Sequence, residues 1–284
     1  MTFQREPILE KLLPFVHADD AGADYLVSGN YYEWYAGYLK SQISNLKSPN
    51  SPGADATRLA EVRDGMFRPT SFAQSQEHVV GACNGHTAAE RWAGETEPFA
   101  RAIARVLANA ATSPLVVDYG CGCGRLAKEL LRQRPECFVL GIDTSAEQRA
   151  LADEYVASNR FEAAVPASLN DGEGTADLVY SVYVLQHVPA IELRDVLRRI
   201  HRVLKPRGLF AYCGSDYRLA VSARGFCDDR FLGVDVRQEI ERLFVEERDL
   251  FDLSGESQLI RDMITADGCP PGSIAHPAKV YRKR

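Results

Sequence analysis

No apolar run in these 284 residues approaches the ~20 residues a membrane-spanning helix needs. The N-terminal stretch MTFQREPILEKLLPF places Glu6 and Glu10 among its apolar residues and has no cleavage-like site, so it does not read as a secretory signal. Positive charge is not in excess: 33 Lys and Arg stand against 39 Asp and Glu, a formal net charge of −6. Such a chain is a poor non-specific binder of phosphate backbones, and the terminal Arg282-Lys283-Arg284 is too short to form a basic arm. Neither nucleic acid nor membrane is expected as a partner. There is no C-x-x-C pair. The seven cysteines (Cys83, Cys121, Cys123, Cys137, Cys213, Cys227 and Cys269) are odd in number and irregular in spacing, which excludes a disulfide framework and argues against a metal site. A reduced, cytoplasmic chain is the default reading. What remains is an ordinary globular composition, 45% hydrophobic and 25% charged, long enough to bury roughly three quarters of its unfolded surface.

Three regions, 1 to about 85, about 86 to 214 and 215 onward, follow one another without internal repeats. Residues 1–85 read as a helical cap, and residues 86–284 as one ligand-binding domain. Within the latter, Leu115-Val116-Val117 is a short apolar run suited to a buried strand. Arg125 to about Arg134 is amphipathic and stops at Pro135. Phe138 to Ile142 is a second strand, and Ser145 with Gln148 has capping-box spacing before a helix running to about Asn159. Phe161 to Val165, Ala176 to Ser181 and Gly208 to Cys213 supply further strands, with a helix from Pro189 to Val203. Alternating strands and helices predict a parallel sheet with right-handed crossovers and ligands beyond its carboxyl ends. Beyond residue 214, Val234 to Phe244 reads as a helix, and Val245 to Leu250 and Ala278 to Arg282 as an antiparallel pair of strands.

The strongest chemical signal is Asp118-Tyr119-Gly120-Cys121-Gly122-Cys123-Gly124, between a strand and a helix. A nicotinamide dinucleotide fingerprint would need its third glycine at position 125, where Arg125 stands. Glycines let the main chain approach a ligand, and amides at the helix start can bind a polar or anionic group. Asp118 can accept from a cation or a water. Asp143 closes the second strand nineteen residues after Gly124, about the distance at which an acid accepts both hydrogens of a ribose diol.

These residues resemble the class I S-adenosylmethionine (SAM)-dependent methyltransferases, small-molecule type. VVDYGCGCGRL is similar to that family's first motif and VLGIDTS to its second; ADLVYSVYVLQHV and HRVLKPRGLFAYC resemble its later segments. The resemblance implies a Rossmann-like α/β fold with seven strands, mostly parallel, ending in an antiparallel C-terminal hairpin. It further implies that Asp118, Gly120, Cys121 and Gly122 line the aminoacyl part of SAM, that Asp143 holds the ribose, and that Thr144 lies beside the adenine. Tyr180 and Ser181 would offer carbonyls near the SAM ammonium. The family's usual acid after the third strand is missing, and Ser168 is the substitute expected there.

Acceptor-side residues are read more freely. His187 follows the fourth strand and, with Tyr183, is a candidate general base. Tyr31, Trp34, Tyr35 and Tyr38 share one helical face that could pack over a substrate, and Trp92 reads as core. His86 precedes a helix capped by Thr87 and Glu90, while Asp216 and Tyr217 follow the last parallel strand. The expected activity is methyl transfer to an O, N, S or C atom of a small molecule, with specialised metabolism as one setting; a homodimer is compatible with it. The alternatives are an aminopropyl transferase, disfavoured because Tyr180-Ser181-Val182-Tyr183 contains no acid, and a non-catalytic partner-binding subunit, which would have no need of the glycine turn.

Overall fold

The computed structural model describes residues 68–80, 86–108, 112–185, 188, 190–214, 236–265 and 277–284. Two helices precede the first strand: α1 (Phe72–Val79) and α2 (Ala88–Val106). The alternating core follows as β1 (Leu115–Tyr119), α3 (Arg125–Gln133), β2 (Phe138–Ile142), α4 (Ala146–Val156), β3 (Phe161–Ala164), β4 (Ala176–Val182), α5 (Ala190–Val203) and β5 (Leu204–Cys213). It closes with α6 (Val236–Glu241), β6 (Phe244–Asp249), α7 (Gln258–Thr265) and β7 (Ala278–Lys283). The strand order is β3-β2-β1-β4-β5-β7-β6. The first five strands are parallel, and β7 runs antiparallel to both of its neighbours. Chain order reverses between β1 and β4, which makes the gap above those two strands the expected ligand crevice.

Strand alternation sorts the core into two layers. Val116, Leu178, Ala211 and Val280 face Phe99 and Ile103 of α2, Leu126 and Leu130 of α3, and Ile260 of α7. Val117, Val179, Phe210 and Tyr281 face Leu193, Leu197 and Ile200 of α5 and Ile240 of α6. Helix α2 starts with a complete capping box: the Glu90 amide donates to Thr87 Oγ1 (3.2 Å) and the Thr87 amide to Glu90 Oε2 (2.8 Å).

Several boundaries differ from the sequence reading. Strand β5 begins at Leu204 rather than Gly208, and its pairing with β4 shifts register between Ala176 and Leu178. Helix α4 stops at Val156, because Ala157 turns left-handed (φ 48°). Phe244 belongs to β6, not to the preceding helix, and α7 is an additional helix. Trp92 is half-buried instead of core, with the Arg125 guanidinium 5.5 Å above its ring. Among the described residues, no helix is long and apolar enough to cross a membrane.

Candidate active site

The turn after β1 is possible only because of its glycines. Gly120, Gly122 and Gly124 all lie at positive φ (83°, 52° and 80°), a region that side chains disfavour. A Cβ at Gly120 would come within 2.2 Å of a Val184 methyl. Four of the turn's amides are engaged by the protein itself. Those of Gly120 and Cys121 donate to the Ile142 carbonyl (2.7 and 3.0 Å), Gly124 donates to the Cys121 carbonyl (2.9 Å), and Gly122 donates to Asp143 Oδ2 (3.0 Å). These four amides are therefore not open donors. The turn offers a ligand its shape, while its polar groups brace the ends of β1 and β2. Cys121 is buried with its sulfur against Gly141, where an added Cβ would lie 2.9 Å away; its thiol fills space beside β2.

Two carboxyls flank the turn. Asp118 pairs in register with Tyr180 of β4, and its side chain is almost fully buried at 4% exposure. Burial pushes its pKa up to about 7; the neighbouring Tyr180 hydroxyl and the Arg125 charge oppose the rise, and Asp143 adds to it. Neither Asp118 Oδ2 nor the Tyr180 hydroxyl completes a well-formed hydrogen bond among the described residues. A buried carboxyl with an oxygen to spare suits a cationic ligand group such as an ammonium. Asp143 is partly buried at the end of β2. Its Oδ1 accepts from the Ser145 amide (2.9 Å) and its Oδ2 from Gly122, and burial of the carboxyl pushes its pKa up despite both bonds. Exposed Thr144 follows, and Ser168 lies beyond β3 in a short 3-10 turn, Pro166–Asp171.

Ser145 caps α4 by accepting from the Gln148 amide (3.1 Å), but the return arm of the expected box is absent. Gln148 instead accepts through Oε1 from Ser75 Oγ of α1 at 2.6 Å. Sequence reasoning missed Ser75 and Gly141 and saw Gln148 only as a cap, because these roles come from partners that local sequence does not reveal.

At the far end of β4, Tyr180 and Ser181 are fully buried inside the sheet. Tyr183 adopts φ 59°, its ring packs edge-on to Phe99 at 6.5 Å, and its hydroxyl is buried beside Cys213. Burial drives its pKa well above the usual phenol value, so a phenolate there is disfavoured. His86 Nε2 lies 3.7 Å from Asp262 Oδ2 of α7, so a carboxylate is among its neighbours. Tyr31, Trp34, Tyr35, Tyr38, His187, Asp216 and Tyr217 lie outside the described residues. A buried ionic group that the sequence did not reveal joins α2 to α3: Glu95 accepts from Arg91 Nε (2.6 Å) and stands 3.6 Å from Arg125 Nη1.

Comparison with known proteins bears on the family and the fold. Residues 116–208 match the family described as methyltransferase domain. The chain is 39% identical over 116 residues to a trans-aconitate 2-methyltransferase of Methylobacterium nodulans, covering 41% of this chain and 43% of that protein. It is 33% identical over 127 residues to a sterol 24-C-methyltransferase of Saccharomyces cerevisiae, covering 40% and 32%. The matches thus span less than half the length of these curated relatives. A solved geranyl diphosphate methyltransferase in complex with SAM superposes with a TM-score of 0.51 over 78% of this chain and 95% of that one, at 14% identity, which speaks to fold alone. Strand order, glycine turn and sequence similarity converge: residues 116–208 carry a methyltransferase domain.

Proposed function

We propose that this protein transfers a methyl group from SAM to a small-molecule acceptor. The observation that carries the proposal is the brace between Gly122 and Asp143, which sets the glycine-rich turn beside a carboxylate at the crevice between β1 and β4. Asp118, with its unsatisfied oxygen, would meet the amino group of the cofactor; Gly120, Cys121 and Gly122 would lie against its aminoacyl chain; and Asp143 would take its ribose, with Thr144 and Ser168 toward the base. The bound sulfonium supplies a methyl group already activated toward nucleophiles. The protein's task is then alignment, for which on the order of 7–11 kcal/mol of barrier reduction is available.

Carboxylates are the first acceptors to try, because several matched relatives are named for trans-aconitate methylation. A carboxylate oxygen needs no base, which fits a site where Tyr183 is held neutral. His187 and the aromatic group Tyr31, Trp34, Tyr35 and Tyr38 are proposed to complete the acceptor side, with residues 1–85 as a cap. The test combines thermal denaturation with demethylated SAM and transfer of isotopically labelled methyl to trans-aconitate, other small acids, a sterol and a prenyl diphosphate. Ligand at a hundred times its dissociation constant stabilises by about 2.7 kcal/mol. No shift at millimolar ligand overturns the cofactor assignment; transfer only to a non-acid overturns the acceptor reading.

A further inference from the structure

Helix α1 meets the domain along one face, formed by Phe72, Ser75 and Val79 at helical spacing. Phe72 packs between Trp92 of α2 (6.0 Å between ring centroids) and Tyr155 of α4 (4.5 Å). Val79 lies over the glycine turn, with a methyl 3.1 Å from where a Gly122 Cβ would stand. Between these apolar contacts, Ser75 Oγ donates to Gln148 Oε1 at 2.6 Å, with both residues buried. Gln148 in turn donates its amide to Ser145 Oγ, the Ser145 amide donates to Asp143 Oδ1, and Asp143 Oδ2 holds the Gly122 amide. The contacts close a ring: from α1 through the first turn of α4 to the proposed ribose acid, on to the glycine turn, and back to α1 through Val79.

We infer that Gln148 is a positioning residue, which through Ser75 fixes α1 across the glycine turn and so holds the cofactor end of the pocket closed. Gln148 need not touch the reacting atoms. It gives up the capping role its spacing suggests and holds a helix 73 residues earlier in the chain. Leaving a buried acceptor without its donor costs more than a hydrogen bond contributes net, so removing one partner should loosen α1 while the fold remains.

This inference rests on the SAM reading, and its test keeps the two apart. Ser75→Ala, Gln148→Leu, their combination and Gln148→Glu, which keeps an acceptor oxygen, are compared with the parent protein. Two quantities are measured: the rate of cleavage after Glu77, inside α1, by a glutamyl endopeptidase, and SAM affinity by calorimetry. Ser75→Ala and Gln148→Leu are expected to speed cleavage and weaken SAM binding by about tenfold each. The double variant should lose no more than either single one, and Gln148→Glu should stay near the parent. Parent-like cleavage and affinity in both single variants, or strictly additive losses in the double variant, overturn the inference. If the parent protein itself binds no SAM, the functional reading fails, and cleavage rates alone decide the role of Gln148.

Discussion

Asp143 has two jobs in this structure, and they can be separated. Its carboxylate accepts from two buried main-chain amides, Gly122 at 3.0 Å and Ser145 at 2.9 Å. Asp143→Ala strands both, at about 1–3 kcal/mol for each unsatisfied group, or about 2–6 kcal/mol together. That is a large share of the 5–15 kcal/mol that typically holds a domain folded, so the alanine variant is a poor probe of binding. Asp143→Asn is the better one. Its remaining oxygen can still serve the Ser145 amide, while its NH2 group faces the Gly122 amide, at a cost of about 1–3 kcal/mol. Relief of the burial that pushes the Asp143 pKa up offsets part of this. In urea the denaturation midpoint should fall without a change in slope. For SAM, losing one hydrogen bond to a charged acceptor, about 1.5–3 kcal/mol, corresponds to about 10- to 150-fold in Kd by calorimetry. An unchanged midpoint refutes the brace. A lowered midpoint with parent-like affinity refutes the ribose assignment and leaves Asp143 as a structural clamp only.

Gly120→Ala forces a side chain into a φ of 83° and within 2.2 Å of a Val184 methyl; about 1–2 kcal/mol from the backbone and about 1–3 kcal/mol from overpacking should appear as a lowered midpoint, and a parent-like midpoint would contradict the tight, left-handed geometry of the turn. Asp118 has a pKa raised to about 7, so the folded state keeps a proton that the unfolded chain has released above about 4. Stability should therefore decline as pH rises from about 4 to 7; Asp118→Asn should flatten that slope, and parallel pH profiles for the two proteins would refute the shift. If Asp118 meets the SAM ammonium, affinity should also rise between about pH 6 and 8 as the carboxyl ionises, which calorimetry checks. Arg207 sits at φ 63° next to Gly208, and Arg207→Gly should stabilise the fold by about 0.5–1 kcal/mol; a lower melting temperature would count against strain at that site.

Legibility in the sequence followed the range of the interactions. The glycine turn, the Asp143 strand end and the Thr87–Glu90 cap are local chemistry, and the folded chain keeps them where the sequence placed them. Asp118 was legible as an acid but not as a buried one, because its environment comes from Tyr180 across the β1–β4 pairing. The Ser145–Gln148 spacing promised a reciprocal cap, yet a donor 73 residues away captured the glutamine side chain. Tyr183 looked like a reactive phenol at a strand end, whereas its backbone turn and the Phe99 ring enclose it. His86 has as a neighbour an aspartate from α7, a helix whose eight residues gave no sequence signal strong enough to name.

One consequence of the strand order concerns how the molecule is assembled during synthesis. Strand β6 leaves the ribosome before β7, yet among the described strands β7 is the sole neighbour of β6 and separates it from β5. Until β7 arrives, β6 lacks its pairing partner and β5 presents a bare hydrogen-bonding edge, the kind of surface that recruits other chains. The five parallel strands, with the glycine turn and both acids, all precede β6 in the chain. Newly made protein would thus pass through a stage in which the cofactor half has been synthesised and one flank still needs shielding, and damage to Ala278–Lys283 would leave every copy stranded at that stage.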